Sequence, residues 1–421
     1  MRRWLSGIVA ATLVAGSAAC GGDSPDDNTA GTDSGATITL WTRAATESVS
    51  KAYAETYNAT HKNKVEVTAY PNEEYPAKLA SAAGARSLPD LFASDVVFAP
   101  QYASQGLWLD LTERFGALPV KDKVSPAHVR NGTWKDKNYA VPHTIDMSVL
   151  LYNKDLYKKA GLDPEKPPTT LTEFAEQARA VDKLGGGVNG TYFGGNCGGC
   201  NVFTLWPSVW AAGGDVMNAD GTESTINSPA MAEVFALYRS LYEDGVAAPA
   251  SKDEAGPTWL GALQSGKVGI APAPSVWLGI IEEKTDFELG VAPISGINGG
   301  ESTFVGGDSI GIGATTNNAD AAWDFLAWTL GDEAQVEVIA KSKGVPVRTD
   351  LATNKYSSAD PRIVTVNSLM AKGKTPYAKN FNATYNDPQS PWITTFRGAL
   401  FGDAGKSLGE GAAALTASLK K

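Results

Sequence analysis

The sequence predicts an α/β fold spread over two or three domains. Two observations predict it. Short β-rich runs alternate with helical stretches from residue 37 onward, and 421 residues exceed one ordinary domain. Hydrophobic residues at 43% and charged residues at 19% are the proportions of a soluble globular chain, which excludes global disorder, collagen and a polytopic membrane protein.

Ile38-Thr39-Leu40-Trp41 is β-rich and reads as the first strand. Val49, Tyr53 and Tyr57 then recur at helical spacing over 47–59. Val65 to Tyr70 alternates as a second strand, 75–85 is Ala-rich and helical, and Leu88 to Ala93 opens a third strand. Val149 to Tyr152 reads as a strand and Leu171 to Ala180 as a helix. Thr170 is placed to cap that helix, with Glu173 at capping-box spacing. Trp206 and Trp210 share a helix at i, i+4, and 231–242 is strongly periodic. Strands follow at Val268 to Ile270 and Leu289 to Ala292, then helices over 321–330 and 334–340. This alternation argues for a mostly parallel sheet. No internal repeat is visible.

The N-terminus has the form of a secretory signal over residues 1–19. Arg2 and Arg3 supply the positive start, Trp4 to Ala15 a short apolar run, and Ser17-Ala18-Ala19 the small residues. Cys20 follows directly, which resembles a bacterial lipobox and implies lipidation of Cys20. Ser17 departs from that pattern, and ordinary cleavage after Ala19 is the alternative. Residues 20–36 carry no large apolar side chain and read as a disordered tether from lipid to folded domain.

A net charge of −10 argues against a nucleic-acid partner, because phosphate backbones are bound by clustered Lys and Arg. Three His and three Cys leave little for a metal site, and neither a metal nor a cofactor is expected. With Cys20 set aside, Cys197 and Cys200 remain. Outside the cytoplasm they are expected to be bridged, a thioredoxin-like redox site being the alternative. Eleven Trp exceed what packing needs, and flat rings suit sugar faces.

Several segments together resemble the bacterial extracellular solute-binding proteins of the family 1 type, the lipoprotein receptors of ABC sugar importers. They are Thr37 to Trp41, Ser87 to Phe92, Gln105 to Thr112, Tyr139 to Pro142, Leu151 to Leu156, Ala160 to Asp163 with Pro167 and Pro168, Ala212 to Asp215, and Phe304 to Gly307. The resemblance implies two α/β lobes joined by hinge strands, with the ligand in the cleft between them. It places lobe 1 at 37–143 plus 293–345 and lobe 2 at 144–292 plus 346–421. Crossings then fall at Ala140 to Asp146, Leu289 to Pro293 and Gly344 to Arg348. It also implies a carbohydrate ligand, permease partners, a membrane reached through the anchor on Cys20, and a monomer.

Candidate contacts lie just after strands, where ligands bind open α/β sheets. Arg43 and Glu47 follow the first strand and Asp95 the third. His143 and Asp146 lie in the first crossing. Trp206 is taken as the cleft-facing member of its pair. Trp277 follows the strand at 268–270. Gly307 would let backbone approach a ligand beside Asp308, and Arg348 follows the third crossing. Acids outnumber bases four to two in this set, which disfavours a phosphate ligand. A polyamine suits carboxylates and aromatics as well, and a secreted glycoside hydrolase with two carboxylates is the third reading. No G-x-S-x-G, H-E-x-x-H or P-loop occurs.

Overall fold

A computed structural model describes residues 30–421 except Glu73. The signal sequence expected over residues 1–19 and Cys20 lie outside the described residues. Nine strands set the frame: β1 (Thr37–Arg43), β2 (Lys64–Tyr70), β3 (Leu91–Asp95), β4 (Val141–Pro142), β5 (Asp146–Asn153), β6 (Ile270–Pro274), β7 (Leu289–Ala292), β8 (Val305–Gly306) and β9 (Asp308–Ile312).

One sheet runs β2-β1-β3-β9-β4. Its first three strands are parallel, joined by helices Glu47–Thr60 and Tyr75–Gly84, while β9 is antiparallel to both its neighbours. The second sheet is built around β5, which pairs with β6, β7 and β8, always antiparallel. The expected mostly parallel arrangement therefore describes only half of the molecule. The buried run Met147 to Asn153 lies at the centre of that sheet, covered on both faces.

Helix signals match local chemistry. The Thr170 hydroxyl accepts the Glu173 N–H at 2.9 Å, as its spacing predicts, but the Glu173 carboxylate reaches back to the Thr169 N–H at 2.7 Å, one residue before the cap. Helices Pro361–Ser368, Pro391–Phe401 and Ala404–Leu419 complete the chain; the last two pack on Pro229–Glu243 in the second lobe.

The crossings differ from expectation in two places. β7 pairs with β5, and β8 continues on the same strand, so the chain is still in the second lobe at residue 306. The passage expected near 293 occurs instead at Gly307, between β8 and β9. There the two connecting segments lie side by side. The N–H groups of His143 and Thr144 donate to the Asp308 carbonyl, and the Asp308 N–H donates to the Thr144 carbonyl. The third passage also comes later. Val345 and Val347 are buried, Ser125 N–H donates to the Val347 carbonyl, and Arg348 is held by Asp332. Only beyond Asp350 does the chain reach β7, where Arg362 donates to the Leu289 carbonyl. Residues 32–36 are likewise not tether. Thr32 N–H donates to Asp320, Asp33 accepts from the N–H groups of Lys62 and Asn63, and Asn63 Oδ1 accepts from Gly35 and Ala36.

Candidate functional site

A cavity of about 500 Å³ opens where the ends of β1 and β3 meet the crossing strands and the second lobe. That volume lies within the range of about 300–1,000 Å³ usual for small-molecule sites. Arg43, Asp95, Asp146, Trp277 and Gly307, five of the sequence candidates, line it.

Strand register explains the polar wall. β9 runs antiparallel to β3, so its first residue, Asp308, stands opposite the last residue of β3, Asp95. β1 lies on the other side of β3 and ends at Arg43. The guanidinium bridges the two carboxylates: Nε donates to Asp308 Oδ1 at 2.8 Å, and a terminal nitrogen lies 3.2 Å from Asp95 Oδ2. Thr46 donates to the other Asp308 oxygen at 2.7 Å. Asp308 is 0% exposed, whereas the Asp95 side chain keeps 29% of its surface accessible. Asp308 is thus the buried anchor of Arg43, and Asp95 is the member a ligand can reach. Burial and the neighbouring Asp308 push the Asp95 carboxyl up, against the pull of Arg43.

Asp146 begins β5. It accepts from the Ser275 hydroxyl at 3.1 Å and the Val276 N–H at 3.4 Å, both at the end of β6. Burial raises its carboxyl to about 6, against these donors and Arg43. Trp277 follows on the same turn, half-buried, and meets Trp259 edge-to-face at 6.1 Å.

Four candidates stand elsewhere. Glu47 heads its helix on the surface and pairs with Lys51 at 2.6 Å, because a helix start projects its first residues to solvent. His143 is 1% exposed and meets Ser50 through Nε2 at 2.8 Å; burial lowers it to about 4, so it is a neutral packing group behind the crossing. Trp206 is 0% exposed within the rings of Trp210, Phe381, Tyr385 and Trp392. It is core, since the C-terminal helices cover the face assigned to the cleft. Arg348 is 3% exposed and saturated by Asp332 and Asp350. Gly307 does line the cavity, but its positive φ of +105° serves the crossing. A Cβ there would stand 2.1 Å from the Thr144 carbonyl oxygen.

Cys197 and Cys200 form a disulfide, Cα atoms 5.2 Å apart, at the start of helix Gly198–Ala211. Cys200 and Gly199 face the cavity, and Gly256 packs beside both sulfurs. Sequence reading missed Trp259, Phe203, Phe304, Phe381 and Asn386, which also line the cavity. Trp259 follows the turn Gly256-Pro257, a loop signal that could have drawn attention to it. The others come together from segments as far apart as Phe203 and Asn386, with no local signal. Among the described residues no cluster of His, Cys, Asp or Glu could hold a metal ion.

A family model described as bacterial extracellular solute-binding protein matches residues 52–365, three quarters of the chain. The chain belongs to that family. This binding protein is 26% identical over 409 residues to a diacetylchitobiose-binding protein of Streptomyces coelicolor, covering 92% of this chain and 91% of that one. It superposes on a cyclic α-maltosyl-1,6-maltose-binding protein of Arthrobacter globiformis with TM-score 0.79 at 26% identity, over 91% and 99% of the two chains. A sn-glycerol-3-phosphate-binding periplasmic protein of Brucella melitensis is 26% identical over 219 residues, 49% of this chain and 48% of that one. The family is one of extracellular proteins that bind solutes.

Proposed function

We propose that this binding protein captures a neutral carbohydrate outside the cytoplasm and delivers it to the permease of an ABC importer, held at the membrane by lipid on Cys20. The charge balance of the cavity carries the reading. Arg43 is the one cation among the described lining residues, and Asp95 and Asp308 already hold it. An anion would have to displace a carboxylate to gain a partner. A sugar instead donates its hydroxyls to Asp95 and Asp146 and lays its C–H face on Trp277. The pairing of β4–β5 and β8–β9 segments at Gly307 supports lobe closure over the ligand by bending at the crossings.

The test is calorimetric titration with maltose, diacetylchitobiose, sn-glycerol 3-phosphate and spermidine. A sugar should bind and raise the melting temperature, the stabilisation reaching about 2.7 kcal/mol at a hundredfold excess over Kd. Tight glycerol-phosphate binding would overturn the charge argument. Spermidine binding alone would favour the cationic reading that the excess of carboxylates also permits.

A further inference from the structure

The Cys197–Cys200 bridge opens on the cavity. Both cysteines are half-buried. Cys200 lines the cavity beside Gly199, and Cys197 is not among its described lining residues. Gly256 packs over the sulfurs with backbone alone: a Cβ there would stand 3.5 Å from Cys200 Sγ and 3.7 Å from Cys197 Sγ. A small nucleophile entering the empty cavity therefore meets Cys200, and a ligand that fills the cavity stands in its path.

Two further features suit this bridge to opening and closing. Cys197 is the N-cap of helix Gly198–Ala211, and its Sγ accepts the Cys200 N–H at 3.3 Å. A helix N-terminus stabilises a thiolate, so Cys197 is the better leaving group when Cys200 is attacked. The chain on either side is also held without the bridge. The Gly195 and Asn196 N–H groups donate to the Ser251 and Glu254 carbonyls at 2.7 and 2.9 Å, and the Gly198 carbonyl accepts from Trp392 Nε1 at 3.2 Å. The Glu254 carboxylate in turn fixes its own loop, accepting from the Tyr192 hydroxyl at 2.7 Å and the Gly256 N–H at 2.6 Å. These bonds keep the two sulfurs neighbours after reduction, as reversible exchange requires.

We propose that Cys197–Cys200 is a thiol–disulfide exchange site for a dithiol, open to reduction while the cleft is empty and shielded while sugar is bound. The shielding rests on the carbohydrate reading above; the exchange does not. One thiolate of the dithiol attacks Cys200 Sγ. A mixed disulfide forms as the Cys197–Cys200 bond breaks, and Cys197 leaves as a thiolate. The second thiolate of the dithiol then attacks the dithiol's own sulfur in that mixed disulfide, releasing Cys200 and closing the dithiol into a disulfide. Two electrons pass to the protein, and the two cysteine thiolates take up the two protons that the dithiol gave up. Reoxidation by a disulfide runs the same steps backward. If reduction weakens sugar binding, bound sugar disfavours reduction by the same factor.

The experiment treats the folded, oxidised protein with dithiothreitol and counts free thiols against time by maleimide mass tagging, with and without a saturating sugar chosen by the titration above. Two thiols should appear in apo protein that keeps its native circular dichroism, and saturating sugar should slow their appearance tenfold or more. Single-cysteine variants locate the shield. In Cys197→Ser, sugar should slow iodoacetamide labelling of Cys200 tenfold or more. In Cys200→Ser, labelling of Cys197 should change less than twofold, an asymmetry that general stabilisation of the fold by sugar would not produce. A bridge that yields only when the chain unfolds overturns the exchange site. Equal reduction rates with and without bound sugar, or equal protection of the two single cysteines, overturn the shielding while leaving sugar capture intact. Failure of every sugar to bind overturns the carbohydrate reading and the shielding with it, and reduction of the native apo protein still decides the exchange site.

Discussion

Asp308 stands opposite Asp95 across the antiparallel β3–β9 pair, and the guanidinium of Arg43 lies between their carboxylates. Two like charges on facing strand positions would repel. Arg43 makes the arrangement stable, and the register makes it a wall of the cleft. Since Asp308 is fully buried, truncation to Ala leaves Arg43 with one solvent-facing partner. Asp308→Ala should cost about 3 kcal/mol in urea unfolding, the scale for breaking a buried ion pair. Arg43→Ala/Asp308→Ala should cost less than the sum of the single variants.

Trp277 and Trp206 should respond in opposite ways. Trp206→Ala removes a ring at the centre of an aromatic core and should cost about 3–5 kcal/mol of stability. Trp277→Ala should leave apo unfolding much closer to wild type while weakening sugar binding tenfold or more. Calorimetric titration beside apo melting curves separates the two effects.

Asp146 sets a pH dependence. Burial raises its folded-state carboxyl from 3.8 to about 6, so the folded protein binds more protons than the unfolded chain between these values. Stability is therefore lost as pH rises through this window. Asp146→Asn should raise apo stability at pH 7.5 by about 1–3 kcal/mol and leave it unchanged below pH 4. On the proposed binding mode the ionised carboxylate accepts sugar hydroxyls, so wild-type affinity should fall as pH drops below 6. The Asn variant should lose that component, read from Kd at pH 5.0 and 7.5.

The Cys197–Cys200 bridge closes a four-residue ring and should contribute only about 2 kcal/mol through chain entropy. Its effect on the cleft should be larger, because Cys200 and its neighbour Gly256 both line the cavity. Cys197→Ser/Cys200→Ser should fold, with a small loss in melting temperature and a clear loss in sugar affinity. Alkylation of the secreted wild type without reductant, followed by intact-mass measurement, should add no label.

Cys20 carries the anchoring proposal. Cys20→Ala should release the protein from the membrane fraction into the medium. Unchanged retention in that variant would refute lipid anchoring at this residue.

Strand identity and the polar end of the cleft were legible in the sequence. β1 is marked by a β-rich run, β2 by alternation and β3 by the apolar run that opens at Leu88, so Arg43 and Asp95 could be placed just past the strands, where open sheets bind ligands. Trp277 was legible for the same reason, following the buried run of β6. These placements depend on contacts near in sequence, where a side chain's position follows from strand period and turn. Other assignments depended on what arrives from afar. The Trp206–Trp210 pair identifies a helix, but helical spacing cannot say which face meets the cleft and which meets the C-terminal helices. Tyr385 and Trp392 decided that Trp206 is core. Arg348 and His143 carry cleft-like chemistry, yet Asp332 and Ser50, placed by tertiary packing, hold them elsewhere. The passage at Gly307 was hidden because a crossing leaves no hydrophobic period of its own. It exists where β8 stops pairing with β5 and β9 begins pairing with β3, a choice of partners that only the folded chain can make.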